Sequence, residues 1–456
     1  VRNMVAMIDL QAGAEIPTTR RDLNNSSLAS SVTFTADGDF AFITTLASNL
    51  VQVLDAVSGE PVGAIEDVGI APRGSVLNAD NSRFVVHPFL SREVAVFDVS
   101  NVGNDGVLPK IGAISTVANE KLSPDVLFGK QIFYNAADTR MARDKYLSCA
   151  TCHLDGGSDH RVWDFTDRGE GLRNTPTLRG RGGMRHGPVH WSANFDEIQD
   201  FEHDIRGAFG GTGFMDDADF NQGTRNTPLG DPKAGVSPEL DALAAYLRSL
   251  NRIPPSPFRD GAGNLTFSAQ AGKKLFESST LRCTECHRGS RLTDSDLHAS
   301  PFILHDIGSV RESSGGRLGG ELTGIDTPTL AGLWATAPYL HDGSADTVYA
   351  ALTAPAGVNT HGRVSGLDSA ERAQLSAYLL QIEQTPAPDL DRDEDVDQED
   401  FAMFQLCITG EDQGPPAVGC QVADFDDDGD VDEFDLDLFE ACAKGPNVRA
   451  DIDCMP

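Results

Sequence analysis

The sequence is poor in positive charge. Lysine and arginine number 36 against 69 aspartates and glutamates, a formal net charge of −33 over 456 residues. Nucleic acid is thereby excluded as the main partner, since phosphate contacts need clustered Lys and Arg. Long apolar runs are lacking too: none approaches the roughly 18–20 residues of a membrane span. From Val1-Arg2-Asn3 onward there is no charged-then-apolar leader, so no signal peptide is visible. A hydrophobic content of 40% suffices for ordinary cores and excludes wholesale disorder. The length implies about three domains. The charge is uneven, because residues 389–456 hold 22 acidic and 3 basic residues, −19 of the total.

The N-terminal region is repetitive. Asn49-Leu50-Val51-Gln52-Val53-Leu54-Asp55 recurs 43 residues later as Arg92-Glu93-Val94-Ala95-Val96-Phe97-Asp98, and Asn3-Met4-Val5-Ala6-Met7-Ile8-Asp9 matches at an offset of 46. A turn precedes each of the first two, Thr35-Ala36-Asp37-Gly38 and Asn78-Ala79-Asp80-Asn81. Alternating apolar residues such as Val51 and Val53 have the period of a half-buried strand. A unit of about 40–45 residues is the size of one propeller blade. The region resembles the blades of YVTN-type surface propellers, here expected as a partial β-propeller over residues 1–115. Two and a half blades cannot close a ring, because propellers use about 4–8, so a sequence truncated in mid-blade is expected. A small open sheet packed on the next domain is the alternative.

Chemistry is concentrated in the middle. Cys149-Ala150-Thr151-Cys152-His153 and Cys283-Thr284-Glu285-Cys286-His287 both have the c-type haem attachment pattern. Two thiols three positions apart reach the two vinyl groups of one porphyrin, and the adjacent histidine binds its iron. A zinc site would need further ligands beside each pair. The surroundings are duplicated as well. Gly129-Lys130-Gln131-Ile132-Phe133 and Gly272-Lys273-Lys274-Leu275-Phe276 open helices leading to the motifs. Asn174-Thr175-Pro176-Thr177-Leu178 and Asp326-Thr327-Pro328-Thr329-Leu330 follow them. Each half closes on an amphipathic helix, 239–247 and 371–379, followed by prolines at 254–255 and at 386 and 388. Two mainly α-helical cytochrome c domains in tandem are expected, at 116–258 and 259–388, with two covalently attached haems.

Thr336-Ala337-Pro338-Tyr339-Leu340-His341-Asp342-Gly343-Ser344 resembles the second-domain signature of bacterial di-haem cytochrome c peroxidases and their MauG-like relatives, and Asn174-Thr175-Pro176-Thr177 resembles its first-domain counterpart. The resemblance spans roughly Ser123 to Glu383. It implies that the first haem cleaves hydrogen peroxide and the second passes in electrons, with His153 and His287 as proximal ligands. The family's distal histidine, eight residues before the Asn-x-Pro-Thr motif, is replaced by Thr166, which implies an open or water-bound first haem, as in MauG-like proteins; His160 is a nearby substitute. For the second haem, His361 stands where the family often has a methionine, and is expected as the sixth ligand. The family's proton-shuttling glutamine and glutamate correspond loosely to Gln199 and Glu202, although the usual Phe-Trp-Asp-Gly is replaced by Met184-Arg185-His186-Gly187. The resemblance also implies an interdomain calcium held at Asn174, Asp326 and Pro328, since oxygen ligands suit that ion.

The acidic tail has its own pattern. Asp424, Asp426, Asp428, Asp430, Asp432 and Asp435 occupy loop positions 1, 3, 5, 7, 9 and 12, with Gly429 at position 6 for the sharp turn. Asp389, Asp391, Asp393, Asp395, Asp397 and Asp400 repeat this spacing, with Glu394 in place of the glycine. Helical segments 401–407 and 434–442 follow. The aspartate at position 12 resembles type I dockerin repeats, so residues 389–456 are expected to form a small α-helical calcium-binding module, and a dockerin implies a cohesin-like docking partner. Cys407 and Cys420, and Cys442 and Cys454, lie at matching places, and a small exported domain gains from disulfides; the connectivity is open.

Three functions follow. One is an exported di-haem peroxidase, periplasmic or extracellular, which reduces hydrogen peroxide with electrons from a small redox protein. Another is a MauG-like oxidase that modifies a partner protein or other substrate through high-valent haem. The third is a non-catalytic surface electron carrier.

Overall fold

The computed structural model describes residues 3–104, 107–353, 359–417, 419–426, 428–452 and 454–455. The chain divides into two compact units, one of residues 1–155 with 198–249 and one of residues 156–197 with 250–456. An N-terminal β-sheet part is followed by helical cytochrome-like parts. The units cut across the expected boundary at 116–258: the helices flanking the first Cys-x-x-Cys-His motif belong with the sheets, and residues 156–197 belong with the second motif.

In the first unit, strands β1 (Met4–Asp9) and β2 (Ala14–Asp22) form a hairpin. Strands β3 (Ala29–Phe34), β4 (Phe40–Thr45), β5 (Leu50–Asp55) and β6 (Pro61–Ile65) form one antiparallel sheet. Strands β7 (Pro72–Leu77), β8 (Arg83–Pro88), β9 (Glu93–Asp98) and β10 (Lys110–Ser115) form a second. The sequence repeat is therefore a structural one, with β5 and β9 as third strands of two blade-sized sheets. Alternation buries Phe42, Val51 and Val53 of one sheet against Phe84, Ala95 and Phe97 of the other. The rings of Phe42 and Phe84 stack with centroids 4.8 Å apart. Hydroxyls join the first strands, Thr33 Oγ1 lying 2.8 Å from Ser75 Oγ. Among the described residues no propeller ring closes.

The same unit holds α1 (Pro124–Tyr134), α2 (Cys149–Cys152), α3 (Glu202–Arg206), α4 (Asp217–Phe220) and α5 (Pro238–Arg248). Ser123 and Ser237 cap α1 and α5, each followed by a proline whose missing N–H costs a helix start nothing. These two helices pack together at Gly129, where a Cβ would lie 1.8 Å from the Ala242 carbonyl oxygen. The helices are anchored to the sheets by Ala136 N donating to Ala47 O at 2.8 Å and by Gln131 Nε2 donating to Leu90 O at 3.0 Å.

The second unit repeats this helical scheme. It contains the hairpin β11 (Val162–Phe165) and β12 (Gly171–Asn174), then α6 (Phe267–Phe276), α7 (Val348–Ala351) and α8 (Ser369–Leu379). At Gly272 a Cβ would stand 2.0 Å from Gln374 O, so the duplicated glycine has one physical reason in both halves: close helix approach. Ala269, Phe276, Leu375 and Leu379 belong to one apolar core. The tail adds α9 (Gln398–Gln405) and α10 (Glu433–Cys442) around buried Val396, Phe404, Phe425 and Phe439. Its disulfides are Cys407–Cys420 and Cys442–Cys454, with Cα atoms 5.1 and 4.9 Å apart.

Candidate haem-binding sites

The second motif lines a mostly apolar cavity of about 300 Å³. A short turn holds Cys283–Glu285, and His287 N donates to Cys283 O at 3.0 Å, which brings both thiols and the imidazole to one wall. Both cysteines are free of disulfides, and burial pushes the Cys283 thiol up to about 11. His287 Nδ1 lies 3.2 Å from the Leu292 carbonyl oxygen, so it donates there and leaves Nε2 as the lone-pair nitrogen. Burial lowers the His287 pKa to about 4, with His361 adding to the effect. A buried neutral imidazole is the form that ligates metal.

His361 lines the same cavity, and its Nδ1 is buried without a hydrogen-bond partner. The rings of His287 and His361 have centroids 6.4 Å apart and planes inclined by 55°. Two imidazoles on opposite sides of one metal place their centres about 6 Å apart, from two metal–nitrogen bonds of about 2 Å and two ring-centre-to-nitrogen distances of about 1.1 Å. The spacing fits a haem iron between them. The remaining wall, including Phe276, Leu352, Leu375 and Leu379, is what a porphyrin face needs.

Three neighbours had no role assigned from sequence: His305 and Trp191, which no spacing motif marks, and His341, which stands inside the Thr336–Ser344 signature. His305 Nε2 lies 2.8 Å from Asp294 Oδ2, and this carboxylate raises its pKa to about 10. Cys286, Asp294 and His305 bring donor atoms within 4.8 Å of one another, but this trio omits Cys283 and His287, which a zinc reading of the motif would use. His341 is 1% exposed, and its Nε2 lies 2.7 Å from Ser314 Oγ, so it is a structural histidine of the lining. Trp191 donates from Nε1 to Asn174 O at 2.8 Å, and its carbonyl accepts from Asp326 N at 2.9 Å.

That tryptophan links two of the residues expected at a calcium site. Asn174, Asp326 and Pro328 line the same cavity, and Asn174 Oδ1 and Asp326 Oδ1 are both buried without a hydrogen-bond partner. Burial raises the Asp326 pKa to about 7. Two orphaned oxygen acceptors are a donor set suited to a hard cation.

The first motif is built on α2, where Ser148 N donates to Thr151 Oγ1 at 3.0 Å and His153 N donates to Cys149 O at 2.9 Å. Cys149 packs beside Met141, Ile205 and Met215, and burial pushes its thiol up to about 12. Two residues past His153, Asp155 accepts from Tyr134 Oη at 2.6 Å and from Arg73 of β7 at 2.9 Å.

The distal candidates fare differently. Glu202 is fully buried, and its two oxygens accept from Arg206 Nε at 2.7 Å, Phe214 N at 2.9 Å and Met215 N at 3.0 Å. A carboxylate so engaged holds the 202–215 loop in place. Gln199 Nε2 donates to Asp241 Oδ1 of α5 at 2.8 Å. Thr166 is exposed and bonded to Asp164. His160 is exposed, with Nδ1 2.8 Å from Ala337 O.

In the tail, Asp389, Asp391 and Asp400 converge, as do Asp395, Asp397 and Asp400. The second loop repeats this with Asp424, Asp426 and Asp435, and with Asp430, Asp432 and Asp435. Asp393 and Asp428 stand outside these groups. Asp400 and Asp435 each also accept backbone N–H groups from both sides of their loops. Asp389 Oδ2, Asp395 Oδ1 and Asp430 Oδ1 are buried without partners. Burial and neighbouring carboxylates raise Asp389 to about 7 and Asp391 to about 6.

Paired thiols, an adjacent imidazole with its tautomer set by a carbonyl, and an apolar cavity define a c-type cytochrome. Comparison with known proteins narrows the class. A family model described as RoxA-like, cytochrome c-like matches residues 324–360. The hydrazine synthase subunit gamma of Kuenenia stuttgartiensis is 30% identical over 271 residues, which cover 51% of this chain and 71% of that subunit. The methylamine utilization protein MauG of Methylophilus methylotrophus is 25% identical over 238 residues, 47% of this chain and 67% of MauG. A solved Kuenenia stuttgartiensis hydrazine synthase structure shares 25% identity with a TM-score of 0.41, covering 58% of this chain and 89% of that one. The chain belongs to the family of cytochrome c-like proteins that includes the hydrazine synthase gamma subunit, and it is similar to MauG and, over residues 324–360, to the RoxA-like model.

Proposed function

We propose that the protein is an exported di-haem oxidoreductase in which the second site relays electrons and the first meets the oxidant. The observation that carries this is that His287 and His361 line one cavity with ring centroids 6.4 Å apart. When bound, a haem with two strong ligands supplies electron transfer, and one with an open face supplies chemistry on peroxide. Cys283 and Cys286 tether the second haem, His287 and His361 hold its iron, and Leu292 O orients His287. Cys149, Cys152 and His153 do the same for the first. The apolar wall keeps water from the second site.

Hydrogen peroxide is the oxidant class in both readings that follow. In the first, a peroxidase, the electrons come from a small redox protein. In the second, a MauG-like oxidase, they come from a partner protein or another substrate. Glu202 is engaged by Arg206, Phe214 and Met215, which weighs equally on both readings because each starts from peroxide. The tail is assigned two calcium ions on its two aspartate loops, and Asn174, Asp326 and Pro328 a third. Two disulfides support an oxidising compartment, periplasmic or extracellular. The dockerin resemblance adds a cohesin-like partner.

Spectra of the oxidised holoprotein test the assignment. One low-spin haem should be lost in His361→Ala while the other is unchanged. An identical spectrum in that variant would remove His361 from the iron. Stopped-flow reaction with peroxide, followed by assay of a small reduced cytochrome as donor, then separates peroxidase from oxidase.

A further inference from the structure

The tail sits on the second haem site, and it does so through its calcium loops. Arg392 lies between the loop ligands Asp391 and Asp393, with φ of +61°. Its Nη1 donates to Ser290 O, three residues beyond His287, and its Nη2 donates to Glu383 O at 3.3 Å. The Arg392 carbonyl accepts from Lys273 Nζ of α6 at 3.0 Å.

Glu394, in the position where glycine is expected, holds φ of +81°, a conformation that strains any residue with a Cβ. Its carboxylate explains the exchange. Arg259 Nη2 lies 2.7 Å from Glu394 Oε1, and the Arg259 side chain is only 5% exposed. Arg449 lies 3.7 Å from Glu394 Oε2 and 2.8 Å from Glu383 Oε2, which closes a network of two arginines and two glutamates. Glycine at position 6 would free the turn and lose this anchor.

The second loop touches the same region. Val422, two residues before its first ligand, packs on Gly289, where a Cβ would lie 2.4 Å from Val422 Cγ1. His298 approaches Gly429, at position 6, to within van der Waals range of a Cβ. The segment 287–292 is the one whose Leu292 carbonyl orients His287.

We propose that the acidic tail is a calcium-dependent clamp on the proximal segment of the second haem site, with Arg392 and Glu394 as positioning residues set by the closed loop 389–400. This rests on the calcium assignment above. Closing that loop on a cation fixes the backbone on both sides of Arg392 and Glu394, and so fixes the segment they grip. Opening it releases Ser290 and loosens the carbonyl that aims His287 at the iron, and second-shell loosening of this kind changes the iron's electronic properties.

The experiment uses the full-length holoprotein. Calcium binding is measured by titration calorimetry with calcium chloride, with magnesium chloride as control. Each haem's midpoint potential is measured in calcium and after EGTA. Removal of calcium should shift the second haem's midpoint and its low-spin spectrum, with the first haem unmoved. Arg392→Ala should bind calcium yet lose that shift, and Arg392→Lys, which can still donate to Ser290 O, should restore part of it. Asp391→Asn, which opens the loop without touching Arg392, should resemble EGTA treatment. If calcium binds and the second haem's potential is the same with and without it, the clamp is overturned while the calcium loops stand. If no calcium binds, the calcium assignment and the clamp fall together.

Discussion

Single residues divide into those that hold a cofactor and those that hold the fold. Glu202 belongs to the second group, because three donors saturate its buried carboxylate. Glu202→Gln should lower stability by about 2–4 kcal/mol, the cost of leaving Arg206 and two N–H groups poorly matched. Chemical denaturation reads this, and a variant of unchanged stability with slowed peroxide reaction would return Glu202 to catalysis. His203 makes a second case. Burial, with Lys233 adding to it, lowers its pKa to about 4 from an ordinary 6.5. Between pH 6.5 and 4 the unfolded chain therefore binds a proton that the folded chain refuses. This contribution is complete above about pH 6.5 and is lost as the pH falls through that window. Thermal melts at pH 7 and 4.5 should show a smaller acid loss in His203→Gln than in the parent. His361 reads differently from either: its position in the sequence singles it out, and the structure sets its ring 6.4 Å from that of His287.

Elements show how duplication is built. The helices α1 and α5 in one half, and α6 and α8 in the other, meet at a glycine that admits the partner's carbonyl. Gly129→Ala and Gly272→Ala should each cost about 1–3 kcal/mol or more, since the added methyl has backbone in its way and helices must separate. Differential scanning calorimetry would check this, and a melting temperature unchanged in both would refute the close approach. The Gly-Lys pairs were legible as a repeat, but their meaning was not, because a glycine in sequence does not say which backbone lies over it. The sheets were legible in more detail: the 43-residue offset places β5 and β9 in equivalent registers, Phe40 facing Asp55 as Arg83 faces Asp98, but which face is buried was not, since Val51 and Val53 bury one face of β5 and Ala95 and Phe97 the other face of β9.

For the molecule as a whole, two cysteine populations coexist. Four cysteines, in the two Cys-x-x-Cys-His motifs, form no disulfide, and four close short loops in the tail. Loops of this size are worth about 3 kcal/mol each in the chain-entropy account. Replacing Cys407 and Cys420 by serine should lower the tail's melting transition and leave both haems covalently attached, read by circular dichroism and by haem-stained gels. The negative charge, which excluded nucleic acid at the outset, sits largely in the tail, where burial and neighbouring carboxylates raise Asp389 and Asp391.

The sequence by itself determined the two Cys-x-x-Cys-His motifs, the duplication of their surroundings, the blade-sized repeat and the aspartate spacing of the tail. Each of these is local: a thiol three residues from a thiol, an aspartate every second position, an alternation along a strand. Tertiary structure alone decided what depends on residues far apart in the chain. It set the rings of His361 and His287 6.4 Å apart on one cavity, engaged Glu202 with a distant loop, and left Asn174 and Asp326 with orphaned oxygens around Trp191. It also turned Arg392 and Glu394 from irregularities in a loop pattern into the contacts that seat the tail, because burial, charge pairing and close approach are properties of the packed chain.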